Sequence, residues 1–157
     1  MEIQVICIGK TDDIESRKII SNYENRLKHY VKFNFLYLPD LKETKNLSQE
    51  QQKAKEALLI EKQLKTSDVV ILLDENGKQF SSVNFSEFLN KKMSSGCKSL
   101  VFIIGGAYGL AQTLHQKYVF KISLSKMTFS HQMIRLLFVE QLYRANTILK
   151  NEPYHHR

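Results

Sequence analysis

Two stretches of this 157-residue chain offer side chains and backbone that could hold a ligand. One is residues 100–110, LVFIIGGAYGL, where paired glycines let a ligand approach the backbone and leave amide N–H groups able to donate. The other is residues 121–143, KISLSKMTFSHQMIRLLFVEQLY, in which a Ser/Lys/Thr-rich segment separates a short strand pattern from a long amphipathic helix pattern. Polar side chains set between two apolar elements suggest a loop held against something polar. The two stretches are read as parts of one site.

Several chemistries fit poorly. No GK[ST] follows the glycines, so the loop is not a phosphate-cradling Walker motif. The full GxGxxG spacing is absent, and no acidic residue lies about twenty positions on at a strand end, so a dinucleotide site is poorly supported too. The plain alternative for the glycines is a sharp strand-to-helix turn. Ser/His/Asp and HExxH arrangements are missing, and His131, His155 and His156 are the histidines expected near the site. A reaction needing little acid–base help suits this inventory. Methyl transfer from a sulfonium is one, because the cofactor carries the leaving group and the protein supplies binding and alignment.

The elements that must position these loops alternate between strand and helix. Strand patterns cover residues 2–9, 33–38, 68–74, 99–104 and 119–124; helix patterns cover about 13–30, 48–65, 82–96, 111–117 and 130–150. Asp13 is placed to start the first helix, and Ser48 with Gln51 has the spacing of a capping box. DVVILLD is almost wholly apolar, as a strand covered on both faces is. Glu75-Asn76-Gly77-Lys78 reads as a tight turn ending it. The expected class is therefore α/β with a mainly parallel sheet flanked by helices, in one domain over residues 1–157. Ligands of such sheets bind beyond the carboxyl ends of strands, here after Leu73, Ile104 and Leu124.

An apolar share of 43% is enough for a core, and no apolar run reaches the length of a membrane span. The acidic second residue and the lack of a leading basic region argue against a signal peptide, so the cytoplasm is expected. Cys7 and Cys97 are far apart and without CxxC spacing; buried free thiols are expected, and no metal site. A formal net charge of +7 favours a polyanionic partner.

IIGGAYGL, then LSKMTFSHQMIRLLFVEQLYRA, then the terminal PYHHR resemble the SPOUT class of methyltransferases. Within that class they are similar to the small bacterial enzymes that methylate N3 of a pseudouridine in 23S ribosomal RNA. The opening VICIGK, the LLDENGK segment and the chain length agree, so the resemblance spans the chain. Ser130 stands where such enzymes are expected to have proline, and Ala107-Tyr108 occupies a variable part of the glycine loop. The resemblance implies a deep trefoil knot formed by roughly the C-terminal half. It implies S-adenosyl-L-methionine held by Leu73, Gly105, Leu124, Ser125, Lys126, Met127, Thr128 and Phe129, largely through backbone. It also implies a homodimer in which each site is completed by the partner. Without the resemblance, Leu73, Leu124, Met127 and Phe129 read more simply as core.

For a uracil-type N3, the proton must leave before the nitrogen attacks, and a nearby cation favours the resulting anion. Arg135 and Arg144 are candidates for that role and for RNA contact, each weighed against a solvated charge or an ion pair with Glu140. Tyr154 and His155 are candidates to stack on or contact a base, and His155 also for catalysis, against the alternative of a frayed terminus. Lys10, Arg17, Lys18, Arg26, Lys28 and Lys32 are candidate phosphate contacts. A chain with no added RNA-binding domain must read its target by shape, which favours an assembled ribosome. The competing expectations are a non-catalytic nucleotide-binding α/β protein and a ribosome-binding protein without activity.

Overall fold

The computed structural model describes residues 1–156, leaving Arg157 of the PYHHR tail outside the described residues. Five strands form one sheet in the order β2-β1-β4-β3-β5, and every neighbouring pair is parallel. They are β1 (Glu2–Ile8), β2 (Lys32–Leu38), β3 (Val69–Gln79), β4 (Ser99–Ile104) and β5 (Lys121–Ser123). Between and after them run α1 (Ile14–Leu27), α2 (Gln49–Glu61), α3 (Ser82–Ser94), α4 (Gln112–Lys117) and α5 (Met133–Leu149). A short 3-10 turn, Thr44–Asn46, precedes α2.

Helices cover both faces, which is why the central strands are apolar throughout. On one face Ile3, Val5, Ile71, Leu100 and Phe102 meet Ile20 and Leu27 of α1, Phe85 and Leu89 of α3, and Phe138 and Leu142 of α5. The Phe102 and Phe138 rings pack edge to face with centroids 4.7 Å apart. On the other face Ile6, Leu72, Val101 and Ile103 meet Ala57 and Ile60 of α2 and Leu114 of α4. Burying each such side chain contributes about 1.5–3 kcal/mol relative to exposure. The helix starts follow the expected caps. Asp13 Oδ2 accepts from Ser16 N, and Ser48 and Gln51 form the full reciprocal box. Each cap contributes about 1 kcal/mol.

The Asn76-Gly77 turn is a misreading. β3 does not stop at Asp74 but continues to Gln79. Leu73 and Lys78 both pair with Ile122 of β5, so residues 74–77 are thrown out of register as an irregular bulge. The glycine is needed for another reason than a turn. A Cβ on Gly77 would stand 2.6 Å from the Ile122 carbonyl carbon, so only glycine lets β5 lie this close. The left-handed glycines are Gly9, Gly96 and Gly109. The bulge pushes Asp74 and Glu75 toward the carboxyl end of the sheet, where the site lies.

Candidate functional site

The segments after β3, β4 and β5 converge around one cavity of about 590 Å³. Leu73, Asp74 and Glu75 come from the β3 bulge. Gly105 to Leu110 come from the turn after β4, with His115 behind them on α4. Leu124, Ser125, Met127, Thr128 and Phe129 come from the segment between β5 and α5, with His131 at the start of the helix. Every residue expected to hold the cofactor therefore lines this cavity except Lys126, which is exposed and not part of the lining. Met127 and Phe129 are 74% and 39% exposed, so they are not core and leave apolar surface at the cavity.

Glycine shapes the turn after β4 more than it opens it. Gly109 N–H donates to Gly106 O at 3.0 Å, and Gly109 sits at φ +80°. A Cβ on Gly105 would meet the Gly109 carbonyl carbon at 2.7 Å. A Cβ on Gly106 would meet the buried Glu56 carboxylate at 2.8 Å. The turn is thus folded on itself, with no room for a side chain at Gly105 or Gly106. The segment opposite is held by its own hydroxyls: Ser123 Oγ donates to Ser125 O at 2.7 Å, and Ser125 Oγ accepts from Met127 N at 2.9 Å. Thr128 Oγ1 donates to Glu75 Oε2 at 2.7 Å, linking that segment to the β3 bulge.

The cavity's charge is opposite to the chain's. Asp74 and Glu75 line it, and among the described residues no Lys or Arg does. Such a site favours a cation over a phosphate. Sequence reasoning missed His115, which is mostly buried against Asp74, its Nε2 3.7 Å from Asp74 Oδ2. Burial, with Lys121, lowers its pKa below the usual imidazole value, and Asp74 offsets this only in part. His131 is likewise lowered, first by burial and then by Arg135. No spacing signal marks His115, because α4 is joined to β3 only through the sheet.

Arg135 departs from the expected role. It is wholly buried. Its Nη2 donates to Ile8 O at 2.6 Å, and Nη1 donates to Gly9 O at 3.1 Å and Thr11 Oγ1 at 3.3 Å. The guanidinium satisfies the carbonyls that β1 leaves at its end and ties the first turn of α5 to them. A group without exposed surface does not contact RNA or the reacting base in this conformation, so Arg135 positions α5.

Arg144 and the tail form a second cluster. Arg144 donates through Nε and Nη2 to Glu140 Oε1, at 3.0 and 2.6 Å. That bond raises the Arg144 pKa, and the guanidinium lies 4.7 Å from the Tyr154 ring centre. Tyr154 OH donates to the same Glu140 oxygen at 3.0 Å, lies 3.1 Å from Tyr23 OH, and packs edge-on against Tyr143. His155 Nδ1 is 3.4 Å from Arg144 Nη1. Tyr154 and His155 are docked, not frayed. Tyr23 and Glu140 border a second, more apolar cavity of about 550 Å³, which shares Ile122 to Ser125 and Phe129 with the first. The tail cluster and the first cavity thus lie on two sides of the same segment. Of the expected phosphate contacts, Arg26 is engaged with the Tyr23 and Tyr143 rings, while Lys18 and Lys32 pair with Glu15 and Glu2 at the surface.

Cys7 is buried and Cys97 half-buried, both free; burial pushes the Cys7 thiol to about 12. Among the described residues no cluster of metal-ligating side chains occurs, and no helix is long and apolar enough to cross a membrane.

A family model described as "Predicted SPOUT methyltransferase" matches residues 1–155. A protein of Christiangramia forsetii named ribosomal RNA large subunit methyltransferase H is 60% identical over 157 residues, the whole of both chains. One of the same name from Flavobacterium johnsoniae is 58% identical over the same span, again all of both chains. Among solved structures, a probable methylase family protein from Haemophilus influenzae Rd KW20 shares the fold, with a TM-score of 0.54 at 14% identity. The match covers 99% of this chain and 70% of that one.

Proposed function

The chain belongs to the SPOUT methyltransferase family, and we propose that it transfers a methyl group from S-adenosyl-L-methionine to N3 of a pseudouridine in 23S ribosomal RNA. The observation that carries the reading is the first cavity. It gathers three strand ends, is lined by two carboxylates without a cation, and presents Leu73, Leu124, Met127 and Phe129 to a planar apolar group. An adenosyl sulfonium matches both properties, whereas a nucleotide polyphosphate would lack its counter-charge. This disfavours the non-catalytic nucleotide-binding alternative.

The cofactor supplies an electrophilic methyl group; the rest falls to this chain's residues. The folded glycine turn and the Ser123–Ser125 hydroxyl bonds fix the backbone that would face the adenine. Glu75, held by Thr128, keeps the bulge and the segment after β5 at a set separation, so a bound ligand is aligned without reorganisation. Arg144, fixed by Glu140, offers a cation that favours the N3 anion once its proton is lost to solvent. Tyr154 and His155 lie beside it, suited to a splayed base.

Three finer features go with this reading. The first is one domain over 1–157 with a deep trefoil knot in roughly its C-terminal half, supported by the convergence of three loops and by Arg135 drawing α5 back to the end of β1. The second is a homodimer. In one protomer the tail cluster borders the second cavity and not the first, and the exposed apolar residue Ile19 lines that second cavity. A partner copy would bring its tail to the first cavity and cover this face. The third is action in the cytoplasm on assembled ribosomes, a reading supported by the net charge of +7, which suits a polyanionic partner.

The test is transfer of a tritiated methyl group to ribosomes lacking the modification, followed by mass spectrometry of the rRNA. Label at N3 of a 23S pseudouridine supports the reading. Cofactor binding without any transfer would return the protein to the ribosome-binding alternative.

A further inference from the structure

His115 is a mostly buried imidazole inside the first cavity with unmet hydrogen-bonding capacity. Its Nδ1 is buried with no partner. Its Nε2 stands 3.7 Å from Asp74 Oδ2, beyond hydrogen-bond reach. Asp74 turns Oδ1 to the Asn76 N–H at 2.9 Å, leaving Oδ2 on the side of the ring. Nε2 and Oδ2 thus stand side by side in the cavity lining without bonding each other, and one ligand donor placed against both can bridge them.

The chemistry of that atom can be read from the pair. A neutral imidazole with its proton on Nδ1 offers Nε2 as an acceptor, and Asp74 Oδ2 is an acceptor as well. Burial, then the Lys121 and Lys53 charges, lower the ring's pKa and so favour its neutral form, against the pull of Asp74. Two acceptors 3.7 Å apart suit one donor atom carrying several hydrogens. Adenosylmethionine has two such atoms: the α-ammonium of its amino-acid end and the exocyclic amine of adenine. The Asp74 carboxylate favours the cation, and no Lys or Arg lines the cavity to occupy that carboxylate, although Lys121 and Lys53 act on the ring from outside the lining. We propose that Asp74 and His115 together hold the α-ammonium of the cofactor, a side-chain subsite added to the backbone-lined site. This rests on reading the cavity as an adenosylmethionine site.

Calorimetry on the full-length protein tests it with three ligands: S-adenosylmethionine, S-adenosylhomocysteine and 5′-methylthioadenosine, which keeps the adenine amine but lacks the amino acid. Asp74→Asn retains an oxygen for the Asn76 N–H, so the bulge is kept. The expected result is a loss of about tenfold in affinity for the first two ligands and none for the third. His115→Leu, with unchanged circular dichroism, is expected to do the same. Equal loss for all three ligands would move the contact to the adenosine end and overturn the proposal. Unchanged affinities would overturn it too, leaving a bridging water between the pair. Failure of the wild-type protein to bind any of the three would instead sink the adenosylmethionine reading itself.

Discussion

Glu140 Oε1 accepts from both Nε and Nη2 of Arg144, at 3.0 and 2.6 Å, so the guanidinium one helical turn on is held by a single carboxylate oxygen. The same oxygen takes the Tyr154 hydroxyl at 3.0 Å. One carboxylate thereby orients a cation and anchors the tail. Replacing it with Gln keeps the shape but weakens all three bonds. Glu140→Gln is expected to lower methyl transfer by about tenfold or more while leaving the cofactor Kd unchanged, because Glu140 does not line the first cavity. Equal loss in both assays would place Glu140 in general stability instead.

Arg135 should show the opposite pattern. Arg135→Met leaves the Ile8 and Gly9 carbonyls buried without their donors. The expected cost is about 3 kcal/mol, seen as a fall of about 1–2 M in the urea midpoint. Arg135→Lys should recover only part of this, since an ammonium cannot fork to both carbonyls. A midpoint unchanged in Arg135→Met would mean that water replaces the guanidinium there.

At Gly105 the constraint is steric. A side chain would meet the Gly109 backbone at 2.7 Å, so Gly105→Val must unfold the turn that borders the cavity. Adenosylmethionine affinity is expected to fall by about a hundredfold, with the far-ultraviolet circular dichroism retained. Wild-type affinity in this variant would separate the turn from the site.

Glu56 predicts a pH effect. Burial raises its pKa above the ordinary 4.5, with the Gln52 bond opposing. Folding thus favours the protonated form: this group's contribution to stability is present below about pH 4.5 and is lost as pH rises through the folded value. Glu56→Gln is neutral throughout. It is expected to melt a few degrees higher than wild type at pH 7, with the difference vanishing in acid. His115 and His131 act in the other sense. Their lowered values mean stability present above about pH 6.5 and lost as pH falls. A lower melting temperature for Glu56→Gln at neutral pH would show that the carboxylate is stabilising there.

The sequence alone determined the class of fold and marked the segments that meet at the first cavity. Periodicities of two and 3.6, caps such as Asp13 and Ser48, and apolar runs such as VVILL are local, and local chemistry decides them. The glycine pair and the segment 124–129 were legible for the same reason, and all their expected cofactor contacts but Lys126 reach one cavity. What only the tertiary structure decided were relations between residues far apart in the chain. Asn76-Gly77 looks like a turn locally, yet the glycine answers to Ile122 lying against it. Arg135 looks like a helix-surface charge, yet it ends buried against carbonyls about 126 residues away. His115 carries no motif, and meets Asp74 only because β3 and β5 are neighbours while α4 packs behind them. A side chain's role depends on what surrounds it in space, and composition and spacing do not contain that information until the sheet order β2-β1-β4-β3-β5 is fixed.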